Sequence, residues 1–127
     1  QEISSQKIAN VRLLGPLSRS DLAAFYRAID IFCLCSRYET FCLAAAEARL
    51  SGTPVVAPAV GGIPEVVPDE TAGLLFAPGD LTDAKLVLGR LIADAQLRRR
   101  LAKGAALAPE EFSPQRYREQ MQALCFG

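Results

Sequence analysis

The chain has 127 residues, half of them hydrophobic, and its 14 basic side chains balance 14 acidic ones. That length suits one domain with a real core, and the zero net charge gives no electrostatic footprint for nucleic acid or an anionic membrane. The chain has no histidine, which excludes a histidine-based triad, metal site or acid–base pair within this segment.

Residues 1–10 are polar and lack an initiator Met, and they read as the interior of a longer chain. Val11-Arg12-Leu13-Leu14 predicts a short strand closed by Gly15-Pro16. Ser18 predicts a helix N-cap, with Asp21 in the capping-box place. The helix it opens carries Leu22, Phe25, Tyr26 and Ile29 at helical spacing. Ile31 to Leu34 is a nearly continuous apolar run, the pattern of a parallel strand covered on both faces. An alanine-rich helix follows over residues 42–51. It stops at Gly52 as the C′ residue, with Pro54 beyond.

Val55-Val56-Ala57 predicts the next buried strand, which runs into a glycine-containing loop, Pro58 to Glu65, and a short helical turn. Leu74-Leu75-Phe76 predicts a further strand, Pro78-Gly79 a turn, and Asp80 the cap of a helix reaching Ala93. Asp94 is placed to cap a shorter helix ending near Gly104. Ser113 with Pro114 predicts a last helix carrying Tyr117, Met121 and Leu124.

Strands alternate with helices through short links, so the expected fold class is α/β, a parallel sheet with helices on both faces. Such sheets bind ligands outside the carboxyl ends of their strands. The loops at residues 36–42 and 58–65 both lie at such ends and are expected to be neighbours.

The four cysteines are Cys33, Cys35, Cys42 and Cys125. The C-x-C pair matches neither zinc-finger nor redox spacing. All four read as thiols packed as small hydrophobes in a reducing, cytoplasmic compartment, with Cys33 and Cys35 on a buried strand. No signal peptide and no apolar run long enough to cross a bilayer is read.

Glu39 and Glu47 are the most informative residues. They bracket the end of one apolar strand and the start of the alanine-rich helix, where backbone N–H groups favour anions. Carboxylates before and within that helix form a cradle for a ligand with phosphate in its middle and hydroxyls at both ends. A sugar nucleotide has that shape. Glu47 sits among Ala44, Ala45, Ala46 and Ala48, on a helix with little polar face. Such a helix reads as buried, and a carboxylate there needs a partner. Arg49 reads as structural, and Arg98-Arg99-Arg100 as a solvated helix face.

Together these residues resemble the donor-binding domain of GT-B glycosyltransferases of the retaining family 4, the glycosyl transferases group 1 domain. The landmarks come in order: Leu14-Gly15, the helix of Leu22 to Tyr26, Ala28-Ile29-Asp30-Ile31 leading to Ser36, and Glu39 to Glu47. Gly52-Thr53-Pro54-Val55-Val56-Ala57, Gly61-Gly62-Ile63-Pro64-Glu65 and Gly73-Leu74-Leu75-Phe76 follow. Each is weak alone; the ordered set, covering residues 11–126, is strong.

The resemblance implies a Rossmann-like C-terminal domain of the GT-B fold. It implies a UDP-, GDP- or ADP-sugar as donor, with no cofactor and no bound metal. Glu39 corresponds to the catalytic-site glutamate that accepts donor-sugar hydroxyls. Phe41, Cys42 and Leu43 correspond to the residues whose amides face the sugar and distal phosphate, and Thr40 is counted with them as donor-binding. Glu47 corresponds to the acceptor of the ribose diol, and Gly61 and Gly62 to a close approach to the donor. The acceptor, a glycan, lipid or small molecule, would be held by an N-terminal domain outside this chain.

This sequence departs from the family at Cys42, where glycine is usual, and in Asp69-Glu70-Thr71-Ala72, a loop placed away from the chemistry. The family's diphosphate-gripping Arg and Lys belong to a portion preceding these residues. Residues 1–127 are therefore expected to be one partial donor domain, inactive alone, of an enzyme working in the cytoplasm or at the inner face of a membrane. A catalytically silent nucleotide-sugar-binding or scaffold domain is the alternative. A sugar-nucleotide epimerase of similar fold is a third reading, disfavoured by the missing histidine.

Overall fold

A computed structural model describes residues 10–68 and 70–106. The first helix, α1 (Arg19–Ala28), starts where the sequence places it. The Ser18 hydroxyl accepts from the Asp21 amide at 3.1 Å and lies 2.6 Å from the Asp21 carboxylate. This reciprocal cap satisfies a donor that the helix leaves unpaired.

The strands β1 (Phe32–Cys33), β2 (Val55–Pro58) and β3 (Gly73–Phe76) form one parallel sheet in the order β1-β2-β3. Phe32 pairs with Val55, and Val55 in turn with Gly73. Between the strands lie α2 (Leu43–Leu50) and the single turn α3 (Ile63–Val66). After β3 come α4 (Leu81–Ala93) and α5 (Ala95–Ala106).

Alternation along β2 and β3 splits the core into two layers. Val55 and Ala57 face a cluster with Tyr26 of α1, Ala45, Ala46 and Ala48 of α2, and Ile63 and Val66 of α3. Val56, Leu74 and Phe76 face the other cluster, with Leu91 of α4 and Leu97 and Leu101 of α5. The sheet is thus covered on both faces, as expected for a Rossmann-like α/β unit.

Two strand expectations are corrected. Residues 11–14 form no strand, and Val11, Leu13 and Leu14 are exposed. A strand exists only with a partner for its ladder, and among the described residues none pairs with this segment. The run from Ile31 to Leu34 is not fully buried either. Phe32 and Leu34 donate at 2.9 Å each to Pro54, just before β2, and to Val56 within it, and among the described residues β1 has no other strand neighbour. Cys33 on it and Cys35 just beyond it are exposed.

At the far end, Asp80 caps α4 by accepting from the Thr82 and Asp83 amides. Asp94 caps α5 by accepting from Leu97. Gly104 lies inside α5 and does not end it. A Cβ there would stand 2.0 Å from the Thr71 carbonyl oxygen, so the glycine serves close packing. Arg98 donates to the carbonyls of Leu91 and Ile92 at the end of α4. Arg100 reaches Glu70. The arginine run is therefore only partly a solvated face. The helix expected from Ser113, and Cys125, lie outside the described residues.

Candidate functional site

The loops after β1 and β2 meet at the carboxyl ends of those strands. The Gly62 amide donates to the Thr40 carbonyl at 2.9 Å. A Cβ on Gly62 would come within 2.3 Å of that oxygen, and one on Gly61 within 1.7 Å of the Glu39 carbonyl oxygen. Gly61 also has φ +52. Both glycines therefore make a close approach, and in this structure it is to the backbone of the Glu39 loop.

Glu39 is half-buried, and one of its carboxylate oxygens accepts from the Ser36 hydroxyl at 2.7 Å. Phe41 is 46% exposed. Cys42 is the N-cap of α2 and adopts φ 61, ψ 71, the left-handed conformation that favours glycine. Its side chain turns into the core and is 6% exposed. Burial, and secondarily the nearby Glu39 charge, raise the Cys42 thiol pKa, with the Ala45 amide opposing. The thiol therefore stays protonated near neutral pH. No side chain caps α2, and its first turn holds no acidic residue. The positive end of that helix thus faces the loop without a carboxylate in its own first turn.

The expectation that Glu47 is buried is corrected. Helix α2 buries Ala45, Ala46, Ala48 and Arg49 and leaves Leu43, Glu47 and Leu50 exposed along one face. The carboxylate does have a partner: the Tyr26 phenol of α1 donates to it at 3.3 Å. The structure thus joins Glu39, Thr40 and Phe41 to Gly61 and Gly62. It places Glu47 one helical turn beyond Leu43. Tyr38, in the same loop, is 80% exposed.

Sequence reasoning missed two partners, Tyr26 for Glu47 and Ser36 for Glu39. Ser36 stands three positions before Glu39 in the same loop, a spacing that could have signalled the bond. Tyr26 stands 21 positions before Glu47 and read as a core residue. Arg49, read as structural, is 2% exposed and donates to the Val66 carbonyl at 2.8 Å, tying α2 to α3.

A hollow of about 310 Å³ lies at the opposite, amino ends of the strands, beside Asp30, Pro54 and Arg99. It is remote from the glutamate pair and borders none of the expected site residues. Among the described residues no group of three or more Cys, Asp or Glu side chains is gathered to hold a metal. No described helix is long and apolar enough to cross a membrane.

A profile of the family described as "Glycosyl transferases group 1" matches residues 2–107. The D-inositol 3-phosphate glycosyltransferase of Salinispora tropica is 46% identical over 103 residues, covering 81% of this chain and 21% of that protein. The chain thus spans about a fifth of the length of this relative. Among solved structures, sucrose-phosphate synthase of Thermosynechococcus elongatus matches with TM-score 0.84 and 32% identity, over 97% of this chain and 31% of that one. HepE of Anabaena, in complex with UDP and glucose, matches with TM-score 0.81 and 28% identity, over 96% of this chain and 35% of that one. The family match across most of the chain, the parallel sheet shared with GT-B glycosyltransferases and the ordered glutamate signature give one conclusion: this chain belongs to the glycosyl transferases group 1 family.

Proposed function

We propose that this chain is the donor-binding part of a retaining, family 4 glycosyltransferase, which moves a sugar from a nucleotide-diphosphate sugar to an acceptor held elsewhere in the same protein. The observation that carries this reading is the joining of the Glu39 loop to Gly61 and Gly62 at the strand ends, with α2 opening between two carboxylates. Glu39, steadied by Ser36, is positioned to accept hydroxyls of the donor sugar. The amides from Phe41 to Leu43 and the positive end of α2 suit the diphosphate. Glu47 suits the ribose diol, because a carboxylate can accept two neighbouring hydroxyls.

The chemical task of this half is to stabilise negative charge on the departing diphosphate as the glycosidic bond breaks. The residues need no metal for that task. Acceptor binding, and the basic residues that complete the diphosphate grip, belong to other parts of the protein, so this chain alone is inactive. The reading places the enzyme in the cytoplasm or at the inner face of a membrane.

The silent-domain alternative rests on Cys42 blocking the amides. Cys42 adopts the left-handed backbone and turns its thiol into the core, which supports the enzymatic reading. The test is an NMR titration of labelled protein with UDP, GDP and ADP and with their glucose and mannose forms. Glu47→Ala serves as the control. Saturable shifts for one nucleotide, lost in the variant, are expected. Shifts that persist unchanged in Glu47→Ala would remove Glu47 from the site.

A further inference from the structure

We infer that Tyr26 is a positioning residue that holds the Glu47 carboxylate ready for the ribose diol of the donor; the inference rests on the reading of Glu47 given above. Glu47 is exposed and has three side-chain torsions to order, and that ordering opposes binding unless done beforehand. Tyr26 is 4% exposed and fixed from several sides. Its ring stands edge-on to Phe32 at 5.6 Å and tilted to Phe25 at 5.9 Å. Its backbone carbonyl accepts from the buried Thr53 hydroxyl.

A ring so held can place its hydroxyl in one direction, and that direction is Glu47, at 3.3 Å. A carboxylate offers about four acceptor positions. Tyr26 occupies one and leaves the other oxygen entirely to a diol. The phenol pKa is raised, first by burial and then by Glu47. Near neutral pH it is therefore a donor, as the arrangement requires.

The experiment compares binding of UDP and 2′,3′-dideoxy-UDP to the wild type, Tyr26→Phe, Glu47→Ala and the double variant. Tyr26→Phe keeps the ring and the Thr53 contact, so the core is preserved, and thermal melting checks this. The expected result is a wild-type preference for UDP that falls about three- to tenfold in Tyr26→Phe. Affinity for the dideoxy analogue stays unchanged, and Tyr26→Phe has no further effect in the Glu47→Ala background. A purely structural role would weaken both nucleotides alike.

An undiminished preference in Tyr26→Phe, with Glu47→Ala losing it, overturns the inference and leaves the role of Glu47 standing. Equal affinity for the two nucleotides in the wild type removes the role of Glu47 and the inference with it. A readout without ligand is the phenol titration followed by ¹³C NMR at Tyr26 Cζ. Glu47→Gln is expected to lower the Tyr26 pKa, and an unmoved titration counts against the contact.

Discussion

The Gly61 backbone lies so close to Glu39 that a single added carbon would stand 1.7 Å from the Glu39 carbonyl oxygen. The loop bearing one candidate site glutamate is thus seated on the loop after the next strand. Gly79 is the natural comparison. It also has positive φ, +76, but a Cβ there meets nothing within 4 Å. Gly79→Ala is expected to carry only the left-handed strain, about 1 kcal/mol. Gly61→Ala adds the clash and is expected to cost about 3 kcal/mol. Urea denaturation of both variants measures the difference. Equal losses would show that the Glu39 loop can move aside, and nucleotide binding by Gly61→Ala would then survive.

Cys42 raises a competition between two terms of similar size. The left-handed backbone at φ 61 penalises any side chain, while the buried thiol contributes packing. A pair of variants separates them. Cys42→Ala loses the thiol and keeps the strain; Cys42→Gly loses the thiol and relieves it. Cys42→Gly is therefore expected to be the more stable of the two by about 1 kcal/mol. The reverse order in chemical denaturation would mean that the helix start adopts another backbone in solution.

The two glycines inside helices are expected to respond with opposite sign. Gly89 of α4 has nothing within 4 Å of an added Cβ. Gly89→Ala is thus expected to stabilise by about 0.5–1 kcal/mol through helix propensity. In Gly104→Ala the same gain is opposed by overlap with the Thr71 carbonyl at 2.0 Å, and overpacking costs about 1–3 kcal/mol. The net effect is a loss, read as a lower midpoint in thermal melting. A stabilised Gly104→Ala would show that α5 can move away from the Thr71 turn.

The parts legible in the sequence were those fixed by local chemistry. Ser18, Asp80 and Asp94 capped the helices they preceded. Gly52 took φ +78 just past α2. The alternation of Val55, Val56 and Ala57 divided the core between two faces as parallel strands do. The parts that failed depended on partners distant in sequence. Residues 11–14 have strand composition but no described strand to pair with. The alanines around Glu47 imply burial, yet which face of α2 is covered is decided by α1, β2, α3 and α5. The Tyr26–Glu47 bond joins different elements. The left-handed Cys42 was invisible because cysteine carries no signal for positive φ; only the resemblance, with glycine usual there, pointed to it.

Arg90 donates to Glu70 at 2.7 Å and Arg100 approaches it at 3.3 Å, across the exposed seam between the turn before β3 and helices α4 and α5. The hydrogen bond from Arg90, followed by that from Arg100 and both charges, lowers the Glu70 pKa below its ordinary 4.5, with partial burial opposing. A carboxylate with a lowered folded pKa contributes stability above its unfolded pKa, and the contribution is lost as pH falls through the folded value. Both arginines and the glutamate are about half exposed. Solvent and salt therefore limit the effect to about 0.5–1 kcal/mol. Glu70→Gln keeps the backbone at φ 62 and removes the charge. Wild type is expected to exceed Glu70→Gln in stability at pH 7, with the gap closing below pH 4.5 and shrinking in 1 M salt. Urea midpoints measured for both proteins from pH 7 down to pH 3 test this. A gap that stays constant with pH would mean that the glutamine variant loses packing, with the ion pair contributing nothing.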